Sequence, residues 1–277
     1  MRIIRFISDT GTTHFGWVEE DGLETLAPEH PVFLLRGNPL DSLKKTASKA
    51  RVKRLLTPVD PPNVLALGLN YRSHADETGV PYPEDPVLFL KATTSLLPHG
   101  APIVLPAAGN SEVDFEGELA VVMGSDVKNV GREEALESIL GYCCANDVSA
   151  RDWQLRKQKR QWARGKSFDT FCPLGPWLVT RDRIPDPGHL ILQTRINGEL
   201  LQDASTADMI FDVAAVISHL SRSLTLRAGT VILTGTPAGV GFTRTPPVFL
   251  KAGDRVSVRI EGIGELINPV ISETVRD

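Results

Sequence analysis

Alternating and continuous apolar runs dominate the chain, and long helical periods are few. Val113 to Met123 reads Val-Asp-Phe-Glu-Gly-Glu-Leu-Ala-Val-Val-Met. Successive strand residues point to opposite faces, so Asp114, Glu116 and Glu118 are expected on one face and Phe115 and Leu119 on the other. The unbroken apolar run after Glu118 predicts a strand buried on both sides. Val64 to Leu67 and Gly141 to Ala145 predict two more strands, and Val231 onward predicts a third that runs into a glycine-rich turn ending at Gly241. Ile3 to Ile7 and Phe15 to Val18 form a strand-turn-strand opening, followed by a turn at Glu19 to Gly22. Arg255 to Ile260 and Glu265 to Val270 flank a hairpin turn. Helix-like stretches are expected at Leu40 to Leu56, Arg151 to Trp162 and Met209 to Ser221, with one short turn at Asn70 to Glu77 that stops at Gly79. Prolines 58, 61 and 62 block both helix and central strand, which places a boundary between a small β-rich N-terminal domain, 1–62, and a second domain, 63–277. Strands without regular crossover helices predict an α+β, mainly β fold.

Composition narrows the classes. A chain of 277 residues with 42% hydrophobic content can bury a full core. The net charge of −4 argues against a general nucleic-acid surface. The local basic run Arg156, Lys157, Lys159, Arg160, Arg164 and Lys166 reads as a solvated helix face. No apolar stretch reaches membrane-spanning length, and Met1 to Phe6 is too short for a signal peptide, so a cytoplasmic address is expected. Three cysteines, two of them adjacent at Cys143 and Cys144, allow neither a disulfide framework nor a C-x-x-C knuckle.

Glu116 and Glu118 side by side on a core strand carry a cost that is relieved by neutralisation, by cations, or by a hard metal ion. A solvated sheet edge would also accommodate them, but the apolar run argues for the metal. Asp147 lies at the mouth of the Gly141 to Ala145 strand, where it is either a helix N-cap or a third ligand. Three oxygen donors suit Mg²⁺, whereas zinc and iron would call for a histidine or cysteine cluster. His74 and Glu77 are three apart, so one helical turn brings them to the same face, either as a base held by a carboxylate or as a surface pair. Lys166 is a cation near this group that stabilises an enolate or oxyanion, or else a surface charge. The turn from Thr234 to Gly241 matches no nucleotide-binding pattern, yet its N–H groups and hydroxyls could hold a carboxylate.

Five motifs occur in series: Asn70 to Glu77 (N-Y-x-x-H-A-x-E), Val113 to Ala120 (V-D-F-E-x-E-L-A), Asn146 to Asp152 (N-D-x-S-A-R-D), Gly165 to Asp169 (G-K-S-F-D) and Thr234 to Gly241 (T-G-T-P-x-G-V-G). From about Asn63 onward the chain resembles the fumarylacetoacetate hydrolase family, and most closely its short domain-containing members. The resemblance implies a β-roll of mixed sheets in a homodimer. It implies Mg²⁺ or Mn²⁺ on Glu116, Glu118 and Asp147, a water-activating dyad of His74 and Glu77, and Lys166 at the oxyanion. Arg151, Gln154 and Thr234 are implied as substrate contacts. The expected partner is a small 2-oxo acid, with no nucleic acid and no membrane. The expected activity is metal-dependent hydrolysis of a carbon–carbon bond in a 2,4-dioxo acid, an acylpyruvate or a sugar-derived diketo acid, through a metal-stabilised enolate. The runner-up is oxaloacetate decarboxylation or keto–enol tautomerisation, which passes through the same enolate. A non-catalytic, metal-stabilised binding protein is the remote alternative.

Overall fold

The computed structural model describes residues 1–19, 31–108, 111–157 and 159–274. Apart from Glu19, the turn expected after Val18 lies outside them. The chain opens with β1 (Arg2–Ser8), β2 (Thr13–Val18), β3 (Pro31–Asn38) and β4 (Ser42–Leu56), all antiparallel. Then come β5 (Val64–Gly68), α1 (Arg72–Thr78), β6 (Val87–Lys91), β7 (Leu96–Leu97), β8 (Ile103–Leu105), β9 (Val113–Asp114) and β10 (Gly117–Met123). The middle holds α2 (Arg132–Ala135), β11 (Ile139–Asn146), β12 (Ser149–Ala150), α3 (Trp162–Lys166) and β13 (Cys172–Thr180). The chain ends with β14 (Ile191–Ile196), β15 (Glu199–Ser205), α4 (Val213–Ser223), β16 (Val231–Leu233), β17 (Arg255–Ile260) and β18 (Gly264–Ser272).

An eleven-stranded sheet runs β2-β3-β4-β1-β13-β11-β10-β16-β5-β6, with β7 on β13, beside a five-stranded sheet β15-β14-β17-β18-β8 and the short pair β12-β9. Most pairs are antiparallel, but β16 with β5, β13 with β7 and β18 with β8 are parallel. This is the expected mainly β architecture of mixed sheets. The continuous apolar run of β10 explains its central place. Leu119, Val121 and Met123 enter one core with Ile217, Leu220, Ile260 and Leu266, while Ala120 and Val122 enter another with Val64, Ala66, Cys143 and Val231. Each fully buried Val or Leu stabilises by roughly 1.5–3 kcal/mol, so a strand buried on both faces is firmly held. Gly117 is where the two sheets approach: a Cβ there would lie 2.0 Å from the Thr194 hydroxyl. Among the described residues no helix is long and apolar enough to cross a membrane.

Four local expectations are corrected. The stretch expected as a helix from Leu40 is a strand over Ser42–Leu56, because pairing with β3 and β1 outweighs the helical preference of its lysines and alanines. Two of those lysines, Lys45 and Lys49, lie over the stacked rings of Trp17 and Phe33. Arg151 to Trp162 is not one helix: a π-type turn at Trp153–Lys157 gives way to Lys159 and Arg160 with φ of 49° and 62°, and α3 then starts afresh. The helix expected from Met209 begins at Val213, because the Asp212 carboxylate caps the Ala215 N–H. The strand from Val113 breaks at Phe115 and Glu116, which turns Asp114 away from Glu118.

A half-buried histidine gives the fold a measurable acid limit. His99 Nδ1 accepts the Ile267 N–H at 3.0 Å, and burial pushes its imidazole from 6.5 down to about 4. The unfolded state therefore gains a proton first as pH falls, and the stabilisation present above pH 6.5 is lost between 6.5 and 4. His99→Asn keeps an acceptor without the titration. Urea unfolding should show the stability gap between the native protein and this variant shrinking by about 2–3 kcal/mol from pH 7 to pH 4. A gap independent of pH would contradict the assignment.

Candidate metal centre and active-site cavity

The register of one antiparallel pair builds the acidic site. Gly117 of β10 faces Asn146 of β11, so the residues just outside the pair, Glu116 and Asp147, are brought together. The Asp147 N–H donates to the Glu116 carbonyl at 2.8 Å, and the Asn146 side chain accepts the Glu116 N–H at 2.9 Å. Glu118, two residues along, points to the same side. Glu116, Glu118 and Asp147 are all buried and each offers an oxygen within 4.8 Å of the others. The Asp147 N–H bond and its place between two strands leave no helix for it to cap.

Cations bracket this cluster. The Lys166 ammonium, at the end of α3, donates to Glu116 Oε2 at 2.7 Å and to Asp147 Oδ2 at 2.6 Å. Lys91, the last residue of β6, donates to Asp147 Oδ1 at 2.5 Å. Arg151 Nη1 lies 2.7 Å from Glu116 Oε1. Burial alone would raise the Glu116 carboxyl, but Lys166 and Arg151 outweigh it and hold the group at about 2. Glu118 goes the other way. Burial first, then the charges of Asp147 and Glu116, push its carboxyl well above the usual range. One Glu118 oxygen accepts the Gly235 N–H at 2.7 Å, while Oε1 is buried with no hydrogen-bond partner among the described residues. An orphaned buried oxygen within a set of three hard donors fits a divalent cation of the Mg²⁺ class.

The other expected residues divide. His74 and Glu77 lie on α1, with Nδ1 3.3 Å from Glu77 Oε2, and the Gly239 N–H donates to the second Glu77 oxygen at 2.9 Å. Burial opposes ionisation of Glu77, but hydrogen bonds from His74 and Gly239 lower its carboxyl below the ordinary value. A cavity of about 280 Å³ receives polar groups from His74, Glu116, Arg151, Gln154, Lys166 and Thr236. Its apolar walls include Leu67, Phe89, Leu155, Trp162 and Phe242. Thr234 is not among its lining residues. That hydroxyl donates instead to the Leu119 carbonyl at 2.9 Å, and Thr236 stands at the cavity in its place. A larger hollow of about 670 Å³, at Arg2, Trp177 and Arg259, touches none of these groups. It has depth without the chemistry.

Lys91, Trp162 and Phe242 escaped the sequence reading as site residues, and Thr236 enters it only as one of the hydroxyls of its turn. Only Lys91 left a signal: in Val87-Leu88-Phe89-Leu90-Lys91 period two puts it on the face of Phe89, an odd place for an ammonium unless it is paired.

A mixed-sheet β-roll carrying a buried oxygen-donor triad at the edge of a small-molecule cavity defines the class. The comparisons agree with it. The chain belongs to the fumarylacetoacetate hydrolase family, whose model for the C-terminal domain of fumarylacetoacetate (FAA) hydrolase matches residues 63–271. It is 42% identical to the mitochondrial oxaloacetate tautomerase fahd2 of Xenopus laevis, over 98% of this chain and 90% of that one. It is 43% identical to the human oxaloacetate tautomerase FAHD2A, mitochondrial, over 89% of this chain and 81% of that one. Among solved structures, the 5-carboxymethyl-2-hydroxymuconate delta-isomerase of Mycobacterium smegmatis superposes with a TM-score of 0.84 at 41% identity, covering 99% of this chain and 100% of that one.

The opposite charge environments of the carboxylates predict opposite effects of neutralising them. A carboxyl held above its unfolded value of 4.5 costs stability once pH exceeds that value, so Glu118→Gln should raise the melting temperature of metal-free protein at pH 7.5 by roughly 2–8 °C. Glu116→Gln and Asp147→Asn should lower it, because buried Lys166, Arg151 and Lys91 then lose their partners. All three variants should abolish the rise in melting temperature that Mg²⁺ induces. Persistence of that rise in all three, read by scanning calorimetry, would contradict the shared site.

Proposed function

We propose that the chain catalyses keto–enol proton transfer on a small 2-oxo acid of the oxaloacetate type, assisted by a divalent cation on Glu116, Glu118 and Asp147. The observation that carries this reading is one cavity lined by His74, whose imidazole is tied to a carboxylate, and by Lys166 and Glu116 of the acidic cluster. When bound, the cation supplies Lewis-acid polarisation of the 2-oxo carbonyl. The protein supplies the rest. His74 Nε2 removes or returns the C3 proton, and Glu77 holds Nδ1 and stabilises the imidazolium that forms. The Lys166 ammonium faces the charge that develops on the carbonyl oxygen. Arg151 and Gln154 orient the substrate carboxylate, while the apolar walls exclude water. Tautomerisation needs only this proton shuttle. The names of the relatives from Xenopus laevis and human support it ahead of hydrolysis. A small 2-oxo acid as ligand, no nucleic acid and no membrane, a second copy of the chain in a homodimer, and a cytoplasmic address complete the proposal.

A second reading is favoured by one observation. Leu67, Phe89, Leu155, Trp162 and Phe242 wall the cavity with apolar surface, which suits the acyl end of a 2,4-dioxo acid better than a second carboxylate. There, His74 would deprotonate water for attack on the distal carbonyl. Decarboxylation of oxaloacetate would need neither step.

His74→Ala tests the proton transfer. It should slow enol-to-keto conversion of oxaloacetate, followed by loss of enol absorbance, by roughly two to four orders of magnitude. Its Mg²⁺ affinity should stay within about twofold, since His74 donates nothing to the triad. Full tautomerase activity in the variant would overturn the proposed proton transfer. Wild-type turnover of acylpyruvates at a higher kcat/KM than oxaloacetate would move the hydrolase reading to first place.

A further inference from the structure

Asp114 is the one carboxylate of the Val113 to Met123 run that the proposed chemistry leaves without work. It is fully buried and does not join the triad. Its Oδ1 accepts the N–H groups of Phe115 and Gly241, each at 2.8 Å. Its Oδ2 accepts the Phe242 N–H at 3.1 Å and Arg151 Nε at 2.9 Å. Three backbone donors thus aim the carboxylate at one guanidinium. The Gly241 position is built for this approach: a Cβ there would stand 2.5 Å from Asp114 Oδ1 and 1.8 Å from the Val248 carbonyl. The glycine-rich turn therefore serves as a seat for Asp114.

The donors of Arg151 can be counted from its five N–H groups. Nε goes to Asp114, and Nη1 goes to Gln154 Oε1 at 2.8 Å and to Glu116 at 2.7 Å. Nη2 is buried, 2.7 Å from Asp114 Oδ2 in a charge contact but with no hydrogen-bond partner among the described residues. The Phe242 ring closes the seat, with the guanidinium carbon 4.2 Å from its centroid. Arg151 and Phe242 both line the cavity. The guanidinium is thus held by Asp114, Glu116, Gln154 and the Phe242 ring.

We infer that Asp114, together with the Phe242 ring, is a positioning residue for Arg151: it fixes the orientation of the guanidinium at the cavity wall, where Arg151 binds the carboxylate of a 2-oxo acid. The inference rests on the proposed function, because it gives Arg151 a substrate carboxylate to hold. A charge-assisted hydrogen bond is directional, so a guanidinium free to rotate binds more weakly even though its charge is unchanged.

The test is a double-mutant cycle on the full chain, with oxalate as the probe at saturating Mg²⁺ and calorimetry as the readout. Asp114→Asn should weaken oxalate binding by about 10–100-fold, the scale of one charge-assisted bond, and leave Mg²⁺ affinity within about twofold. In an Arg151→Lys background the same substitution should add less than about twofold, because its target is gone. An Asp114 that serves only to tie the turn to β9 would not lose its effect in that background. If Asp114→Asn fails to fold by circular dichroism, Phe242→Leu is read instead, with an expected loss of about 3–10-fold in oxalate affinity. Oxalate affinity within twofold of wild type in the readable variant, or an equal loss in both backgrounds, overturns the inference while leaving the proposed function intact. Wild-type protein that binds no oxalate with Mg²⁺ overturns both.

Discussion

Like-charge repulsion among Glu116, Glu118 and Asp147 is the constraint around which this molecule is arranged. Three carboxylates within 4.8 Å and out of water cannot all stay ionised unless cations offset them. Lys91, Lys166 and Arg151 are the protein's own response, and they are buried with their partners. The offset is uneven. Glu116 and Asp147 receive the ammonium and guanidinium contacts, whereas among the described residues Glu118 has a single backbone N–H and one bare oxygen. A divalent cation at that oxygen would give Glu118 the contact it lacks, which is the physical reason for reading the cluster as a metal centre.

The fold follows from the need to hold those charges rigidly. β10 is buried on both faces, so Glu118 cannot turn to solvent, and the β10–β11 register sets Glu116 opposite Asp147 with no long-range adjustment. The cations arrive from different directions: Lys91 from the edge strand β6, Lys166 from α3, and Arg151 from the segment after β12. The His74–Glu77 pair comes from α1, fastened to the glycine-rich turn through Gly239. That turn reaches Glu118 through Gly235, Glu77 through Gly239 and Asp114 through Gly241. One irregular stretch thereby fixes the triad, the His74–Glu77 pair and the Arg151 seat relative to each other.

Much of this was legible in the chain because local chemistry and spacing coincide. The carboxylates on alternate positions of an apolar run, Asp147 at a strand mouth and the i, i+3 pair of His74 and Glu77 each have a short-range cause. The strand at Ser42–Leu56 was not legible, since lysines and alanines favour a helix until β1 and β3 are beside them. Thr234 and Thr236 could not be told apart without the structure, because a turn leaves strand alternation behind and backbone direction decides which hydroxyl meets the cavity. Asp114 shares the parity of Glu116 and Glu118, yet the break after β9 turns it to Arg151. The likeness to an isomerase and a tautomerase extends over 99% and 98% of the chain.

The central claim is that the three carboxylates hold one divalent cation. Diffraction at the manganese absorption edge from crystals grown with Mn²⁺ tests it directly. The account predicts one strong anomalous peak per chain, bounded by oxygens of Glu116, Glu118 and Asp147. A peak at other residues, or none between these three at saturating Mn²⁺, would contradict it.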